Sequence, residues 1–200
     1  YLGPIQLYTK LLAYDQICLE TQENYLKQTY RNRCIIAAAN GPQALTVPIV
    51  KPDTLKCLTK DIRISDHGNW RHLHWDALVS AYRMSPFFEY YEEDFAPFYE
   101  KKYEFLLDFN EALREVVCQL IDIQPQIHYT TDYQPDVTAD FREIIRPKHE
   151  GNDPSFQPVP YYQVFQEKQG FLPNLSIVDL LFNMGPESLL VLQKSIQKDI

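Results

Sequence analysis

The sequence predicts one domain of mixed α/β or α+β class, with a β-hairpin in its N-terminal third and a mainly helical C-terminal two-thirds. Three observations support this prediction. The length of 200 residues is usual for one domain, strand-like alternation is concentrated before residue 66, and helical spacing of apolar residues follows it. The strands are expected to form a mixed sheet whose order the sequence leaves open. The domain is predicted to span residues 1–200, with an incomplete N-terminus because the first residue is not Met.

The N-terminal third is predicted to contain one helix followed by short strands. The helix begins after Pro4, because proline suits a first helical turn. Its apolar residues recur at helical spacing: Ile5, Tyr8, Leu11 and Leu12. The strands are predicted at residues 16–21, 31–39, 44–50 and 61–64. The second and third strands form a hairpin around the Asn-Gly-Pro-Gln turn at 40–43, since Asn and Gly tolerate positive φ.

A long amphipathic helix is predicted to follow residue 69. Asn69 is expected to be its N-cap residue. Its apolar stripe consists of Trp70, Leu73, His74, Ala77, Leu78, Ala81 and Tyr82. Pro86 and Pro97 are expected to divide the next stretch into short aromatic pieces, because proline interrupts a helix.

Two capping-box patterns indicate the starts of later helices. Asp108 with Glu111 predicts one start, and Ser176 with Asp179 predicts another, so that Asp179 is expected to cap its own helix. The remaining predictions are a strand at 126–130 and a proline-rich loop at 147–160.

Composition excludes several classes of function. The chain has 19 basic and 27 acidic side chains and a formal charge of -8, which argues against general binding of nucleic acids. Its longest apolar stretches are far shorter than the ~20 residues that a membrane-spanning helix needs. We therefore expect a soluble protein without a membrane span.

The four cysteines favour a reducing compartment. Cys18, Cys34, Cys57 and Cys118 lack the C-x-x-C spacing of zinc ribbons and thioredoxin-type sites. Cys34 and Cys118 lie among Ile or Val and are expected to be small buried hydrophobic side chains. Free thiols of this kind indicate a cytoplasmic protein.

A basic cluster stands out in this acidic chain, formed by Lys27, Tyr30, Arg31, Asn32 and Arg33. If the segment is a strand, Arg31 and Arg33 point to one face, where two guanidinium groups can bind a phosphate or a carboxylate. The alternative is a pair of exposed arginines that meet neighbouring acidic side chains. The first interpretation predicts an anionic small-molecule ligand at this cluster.

Three histidines, His67, His72 and His74, fall close together but do not have the spacing of a metal site. Metal ligands on a helix stand three or four residues apart, whereas His72 and His74 are two apart, so no metal is predicted. His74 lies on the apolar stripe, where a hydrogen-bonded core histidine is one interpretation. The other is a general base, since imidazole accepts protons near neutral pH. His74 and His72 are thus the candidate catalytic residues.

Familiar catalytic motifs are missing from the sequence. It contains no G-x-S-x-G, P-loop, G-x-G-x-x-G or H-E-x-x-H motif, so hydrolase, NTPase, dinucleotide-binding and zincin functions gain no support. A nucleotide-using ligase would need glycines that cradle phosphate, and the chain has only six glycines. The sequence identifies no cofactor.

Several stretches, in one order along nearly the whole chain, together resemble the WbqC-like family of bacterial proteins. They lie at residues 1–8, 30–33, 41–48, 74–82, 86–88 and 174–185. The family's Arg-Asn-Arg signature falls on Arg31, Asn32 and Arg33, and its helix histidine falls on His74. Its terminal Asn-Leu-Ser-x-x-Asp pattern falls on Asn174, Leu175, Ser176 and Asp179.

Two departures from the family pattern affect the expected site. Many relatives have Lys where this chain has Asp76, so that a positive group expected there is replaced by a carboxylate. Relatives also have a strand with a Gln-Pro or similar pair just before the stretch that begins at Tyr1, and that part is absent from this sequence.

The resemblance implies a cytoplasmic enzyme of surface-polysaccharide (O-antigen) biosynthesis. It would transfer an acyl or glycyl group to a nucleotide- or lipid-linked amino sugar. Arg31 and Arg33, together with Lys27, Tyr30 and Asn32, would hold the phosphates, and His74 or His72 would take the proton from the attacking amine. The aromatic side chains expected to stack on the sugar are Tyr8, Tyr30 and Trp75.

A second function, of another class, also fits the sequence. Without a strong catalytic motif, the protein could be a non-catalytic binding or assembly protein for a glycan precursor. Its 14 tyrosines support this alternative, because tyrosine is favoured at interfaces. The donor, the acceptor sugar and the oligomeric state are left open.

Overall fold

The computed structural model describes residues 1–52, 56–147 and 152–197. The helices in these ranges are α1 (Ile5–Ala13), α2 (Trp70–Tyr82), α3 (Phe88–Glu100), α4 (Leu106–Leu120), α5 (Gln166–Gln169), α6 (Ile177–Met184) and α7 (Ser188–Ser195). The strands are β1 (Gln16–Leu19), β2 (Arg33–Ala38), β3 (Gly41–Thr46) and β4 (Gln126–Tyr129). Of the loop predicted at 147–160, residues 148–151 lie outside the described residues.

The predicted fold class is confirmed. Strands lie mostly in the N-terminal third and helices mostly after it. The single mixed sheet that was expected is not formed by the described residues, because the strands divide between two small sheets. Strands β2 and β3 form an antiparallel hairpin, and β1 pairs in parallel with β4. The parallel pair joins two segments that are far apart in the sequence, because parallel strands require a long crossover connection.

The hairpin is present, but its turn comes earlier than predicted. Ala38 pairs with Gly41, so the connection is the two residues Ala39 and Asn40 rather than 40–43. Gly41 has a φ of 119°, which glycine adopts readily, and so it opens the second strand instead of occupying the turn. The first strand begins at Arg33, not at residue 31. The reason is that the Arg31 carbonyl accepts hydrogen bonds from outside the hairpin.

Two further local predictions were wrong. The strand predicted at 61–64 is reduced to two isolated bridges, Ile49 with Ile64 and Arg63 with Phe105, since a 3₁₀ turn occupies Thr59–Asp61. Helix α3 continues through Pro97 instead of breaking there. The buried side chains of Phe95, Phe98 and Tyr99 on this helix hold it in the core, and this burial offsets the backbone hydrogen bond that proline cannot make.

Helix α6 lies at the centre of the core. Five of its apolar side chains are fully buried: Ile177, Val178, Leu180, Leu181 and Phe182. A helix that is apolar on all sides must be surrounded by protein, and α6 packs against α1, α2, α3, α7 and β2. The rings of Tyr82, Phe88 and Phe95 pack edge-on to Phe182, with centroids 5.1 to 5.3 Å apart.

The first residues of the chain pair with the segment that leads into α6. Ile5 N donates to the Leu175 carbonyl at 3.0 Å, and Ile177 N donates to the Gly3 carbonyl at 2.9 Å. On the other side, Ser176 N donates to the Ile35 carbonyl of β2 at 2.8 Å. Stretches 1–8 and 174–185, which carry the family resemblance, are therefore direct neighbours in the fold.

The predicted capping residues have other roles. Neither Asn69 nor Ser176 caps its helix with its side chain, and α4 begins at Leu106, before Asp108. Ser176 Oγ instead donates to the Leu2 carbonyl at 2.8 Å. The prediction that Asp179 caps its own helix was wrong, because its carboxylate turns into the core. There it accepts hydrogen bonds from Tyr82, Tyr161 and Gln163 at 2.6 to 3.0 Å.

Candidate functional site

The predicted anion-binding residues lie in one loop that leads into β2. We call residues 27–33 the basic loop. Lys27 is exposed, Tyr30, Arg31 and Arg33 are half-buried, and Asn32 is buried. The loop is thus a surface feature whose two guanidinium groups are partly withdrawn from water.

Backbone contacts fix the basic loop against the start of the chain and α4. The Tyr1 nitrogen donates to the carbonyl oxygens of Tyr30 at 2.7 Å and Arg31 at 3.1 Å. Asn110 Nδ2 on α4 donates to the same Arg31 carbonyl at 2.7 Å. These bonds hold the loop in one conformation and set the positions from which its side chains extend.

The two arginines of the basic loop have different partners. Arg31 forms an ion pair with Glu23. Arg33 Nε is buried and has no hydrogen-bond partner among the residues that the structure describes. A buried guanidinium nitrogen without a partner is costly, and a phosphate or carboxylate oxygen is the group that best satisfies it.

Tyr25 lies beside the two arginines, although no pattern in the sequence points to it. Burial raises the pKa of Tyr25 to about 12, and the positive charges of Arg31 and Arg33 oppose this increase, so the phenol is close to both arginines. Its hydroxyl is buried and also lacks a partner within the described ranges. No spacing pattern in the sequence relates Tyr25 to the arginines, since a turn and not a strand brings them together.

Asn32 faces the protein interior rather than the two guanidinium groups. It is only 8% exposed, and its Nδ2 donates to the Val47 carbonyl at 3.0 Å. The Val47 nitrogen donates in return to the Asn32 carbonyl at 2.7 Å. In this structure Asn32 joins the basic loop to the end of the hairpin.

His74 lies inside the core, only 6% exposed. Its Nδ1 is 3.0 Å from the Tyr1 hydroxyl, which is 2.8 Å from the Tyr99 hydroxyl. Burial lowers the pKa of His74 to about 4, against the opposing effect of a hydrogen bond with the Thr46 backbone. The imidazole is therefore uncharged at neutral pH and lies between the rings of Tyr1 and Trp70.

The basic loop and His74 lie close to each other in the structure, and His74 is below the surface. Tyr1 contacts both of them, through its nitrogen and its hydroxyl. Arg33 pairs with Thr46 in the hairpin, and the Thr46 backbone bonds His74. A ligand on the arginines would thus be separated from His74 by the Tyr1 side chain and the hairpin backbone.

The other predicted site residues are dispersed. His72 is exposed on α2, and its Nε2 lies 3.1 Å from Asp76 Oδ2. Tyr8 is only 2% exposed and lies in the core, so it offers no face to a sugar. Trp75 is half-buried and packs against Phe88 and Tyr99.

A buried polar cluster on α1 was not predicted from the sequence. Lys10 and Asp153 form an ion pair at 2.6 Å, with only 5% and 4% of their side chains exposed. Gln6 Nε2 donates to Asp153 at 2.8 Å, and Ser155 Oγ donates to it at 2.7 Å. Asn174 exchanges two hydrogen bonds with Gln6, so the family's terminal asparagine helps to hold this cluster.

No group of three or more His, Cys, Asp or Glu side chains in the described ranges could hold a metal ion. None of the helices in those ranges has both the length and the apolar character needed to cross a membrane.

Comparison with known proteins identifies the class to which this fold and basic loop belong. The sequence model of the WbqC-like protein family matches residues 1–147 and 142–191. The chain therefore belongs to the WbqC-like protein family. It is similar to the uncharacterized protein Rv1507c of Mycobacterium tuberculosis, with 26% identity over 211 residues that cover 92% of this chain and 91% of that protein. No solved structure matches the chain.

Proposed function

We propose that this protein binds a phosphate-bearing sugar precursor at the basic loop and transfers an acyl or glycyl group to its amino sugar. The product would enter surface-polysaccharide (O-antigen) biosynthesis. One observation carries the binding part: the buried Arg33 Nε and the Tyr25 hydroxyl both lack partners within the described ranges, beside the guanidinium group of Arg31. The transfer part rests on membership of the WbqC-like family.

The arrangement suits a phosphate or diphosphate better than a neutral ligand. Arg33 and Tyr25 supply donors of the kind that bind phosphate oxygens, and each hydrogen bond to a charged group is worth roughly 1.5–3 kcal/mol. Arg31 is held by Glu23, so its guanidinium plane is fixed before the ligand arrives. Lys27 is exposed and adds positive charge that attracts an anion to the loop.

The transfer itself needs a group that takes a proton from the attacking amine. His74 is uncharged at neutral pH, as a base must be, but Tyr1, Tyr99 and Trp70 surround it. His72 is the accessible one of the two candidate histidines. Substrates linked to nucleotides are made in the cytoplasm, which is where we propose that the protein works.

The binding proposal is tested by calorimetric titration with UDP-N-acetylglucosamine. Replacing Arg33 by Gln removes the charge and the unpartnered Nε, and we expect affinity to fall at least roughly tenfold. Lys51→Gln is the matched control, since Lys51 is exposed and lies outside the basic loop. Equal affinities for wild type and Arg33→Gln would show that the loop is not the phosphate site.

The transfer proposal is tested separately. The purified protein is incubated with glycyl thioester or glycyl-tRNA and with UDP-activated amino sugars, and the sugar product is examined by mass spectrometry. We expect a gain of one glycyl group that Arg33→Gln reduces. If no donor gives a modified sugar while the nucleotide sugar still binds, the transferase proposal is wrong.

The burial of His74 favours a second candidate function, a binding or assembly protein for a glycan precursor. A histidine enclosed by Tyr1 and Trp70 can stabilise the fold beneath the basic loop without contacting a substrate. Thermal-shift measurements separate the two functions. A binding protein is stabilised by nucleotide sugars and leaves them chemically unchanged after long incubation with every donor tested.

A further inference from the structure

One face of the small parallel sheet, β1 with β4, is turned to solvent. Cys18 on β1 lies opposite His128 on β4 in the register of this sheet. Side chains alternate between the two faces of a strand, and Ile17 and Ile127 pack against the core. Cys18 and His128 therefore point to the opposite face, where both are exposed.

A hydrogen bond farther along the two chains supports this placement. Thr130 Oγ1 donates to Glu20 Oε1 at 2.8 Å. Glu20 lies two positions after Cys18, and Thr130 two positions after His128, so both pairs share one face. Paired strands run roughly 4.8 Å apart. Cys18 and His128 are thus direct neighbours on an open surface.

The thiol and the imidazole are both available to a ligand. Cys18 is a free cysteine, and neither side chain has a hydrogen-bond or ion-pair partner among the residues that the structure describes. A thiolate sulfur and an imidazole nitrogen together favour Zn²⁺, whereas Mg²⁺ and Ca²⁺ prefer oxygen ligands. Zinc binds at about 2.3 Å from sulfur and about 2.1 Å from nitrogen, and these lengths suit an ion held between neighbouring strands.

One chain supplies only half of the ligands that such an ion needs. A structural zinc site has four ligands at the corners of a tetrahedron. Glu20 is the next acidic side chain on this face, but Thr130, Arg142 and the Gln22 nitrogen already bind its carboxylate. The described ranges of the chain add no third His, Cys, Asp or Glu to the pair. A second copy of the chain brings the same two ligands again.

The charge on this face allows two copies to meet there. The chain has a formal charge of -8, so two copies repel each other on average. On this face, however, Gln16, Gln126 and Thr130 are neutral, and the carboxylate of Glu20 is paired with Arg142. Two thiolates offset the two positive charges of Zn²⁺, which leaves the completed site neutral.

We propose that two copies of this chain join through one zinc ion, bound by Cys18 and His128 of each copy. The two thiols release their protons to solvent when they bind the metal. The same surface of each copy meets at a twofold axis, as in most symmetric dimers. This proposal is independent of the proposed function, because neither residue belongs to the basic loop or to α2.

The proposal is tested by analytical ultracentrifugation of the protein after treatment with EDTA and a phosphine reductant. We expect a monomer without metal and a dimer after addition of zinc chloride, with the change complete at one zinc ion for two chains. Renewed addition of EDTA should restore the monomer. A monomer that binds zinc without dimerising, or a dimer that persists in EDTA, would overturn the proposal.

Four variants locate the ion. Cys18→Ser and His128→Gln change exposed side chains, so we expect both proteins to fold and to lose zinc-dependent dimerisation. Cys57→Ser and His67→Gln remove another free thiol and another exposed imidazole, and they should dimerise like wild type. Unchanged dimerisation of Cys18→Ser or His128→Gln would show that zinc binds elsewhere.

Cobalt(II) in place of zinc reports the ligands directly. In the wild-type dimer we expect the visible absorption of tetrahedral Co²⁺ and a charge-transfer band from thiolate to cobalt. Cys18→His replaces sulfur by nitrogen in the ligand set, so this variant should still dimerise but should lose the charge-transfer band. A wild-type cobalt spectrum without that band would remove Cys18 from the site.

Discussion

The carboxylate of Asp179 is fully buried and is held by three hydrogen-bond donors from outside its own helix. Burial raises its pKa above the ordinary value, and the bonds from Tyr161, Tyr82 and Gln163 only partly oppose this increase. Tyr82 also accepts a hydrogen bond from the Ala37 nitrogen at 3.3 Å. Asp179 therefore joins α6, α2, the hairpin and the segment before α5 at one point in the core.

Removing the Asp179 carboxylate should destabilise the protein strongly. Asp179→Ala leaves the buried hydroxyls of Tyr82 and Tyr161 without their acceptor, whereas the Gln163 amide keeps the Leu172 carbonyl. We expect this loss to cost roughly 3 kcal/mol in the free energy of unfolding. Urea denaturation measures the change. Asp108→Ala is the control, since Asp108 is exposed on α4. If both variants lose the same stability, the buried network is not stabilising.

His74 should make stability depend on pH in the acid range. Its pKa falls from the ordinary 6.5 to about 4 on folding, because burial disfavours the charged ring. Protonation therefore favours the unfolded chain. The contribution of His74 is complete above pH 6.5 and is lost as the pH falls toward 4, by roughly 3 kcal/mol in total.

The measurement compares wild type and His74→Gln in urea between pH 7 and pH 4. Other groups titrate in both proteins, so the informative quantity is the difference between them. We expect wild type to be more stable at pH 7 and this advantage to shrink as the pH falls. An advantage that stays constant across this range would contradict the buried, uncharged state of His74.

At the scale of secondary-structure elements, one buried ion pair connects α1 to the segment that follows residue 152. Burial raises the pKa of Asp153, but hydrogen bonds from Gln6, Lys10 and Ser155 outweigh that effect and lower it below the ordinary value. Lys10 also lies 4.9 Å from the centre of the Phe141 ring. These contacts hold a long irregular segment against a regular helix.

Breaking this pair from one side should cost more than replacing both partners. Lys10→Met leaves a buried carboxylate without its cation, which we expect to reduce the free energy of unfolding by roughly 3 kcal/mol. The double variant Lys10→Met/Asp153→Leu should recover part of that loss. Lys51→Met is the exposed control. A double variant less stable than Lys10→Met alone would contradict this argument.

Local sequence patterns predicted the kind of each main element better than its ends. The helical stripe from Trp70 to Tyr82 matches α2, because five of its seven residues, including His74 and Leu78, are buried as predicted. The ends were set by distant partners. Hydrogen bonds from Tyr1 and Asn110 to the Arg31 carbonyl keep this residue outside the strand. The burial of its neighbours keeps Pro97 within a helix.

At the scale of the whole molecule, the reactivity of the buried cysteines can show whether the chain unfolds as one unit. The two cysteines expected to be buried are buried: Cys34 in the hairpin and Cys118 in α4. Burial raises the pKa of Cys34 to about 12 and that of Cys118 to about 11, so neither forms a thiolate readily in the folded protein. Cys18 is exposed.

This pattern allows a test of the single domain predicted for residues 1–200. We expect Cys18 to react at once with a thiol reagent, and Cys34 and Cys118 to react slowly at one common rate, that of global unfolding. Peptide mapping by mass spectrometry after timed labelling follows each thiol. Labelling of Cys118 much faster than Cys34 would show that the hairpin and the helical part unfold as separate units.

The candidate site was only partly accessible to sequence reasoning. The Arg-Asn-Arg segment could be selected because two guanidinium groups close together in an acidic chain are unusual. Tyr25 could not be, since only folding brings its hydroxyl to the arginines.

By itself, the sequence determined the mixed α/β or α+β class, the hairpin before the helices, the acidic charge and the family. These depend on composition, on short-range periodicity and on ordered motifs, all of which are present in the unfolded chain. Tertiary structure alone decided which polar groups are buried and with what partners. It enclosed His74, turned Asp179 inward and left Arg33 Nε without a partner in the described ranges. The physical reason is that desolvation and hydrogen bonding depend on neighbours that are distant in sequence, and no local pattern encodes them.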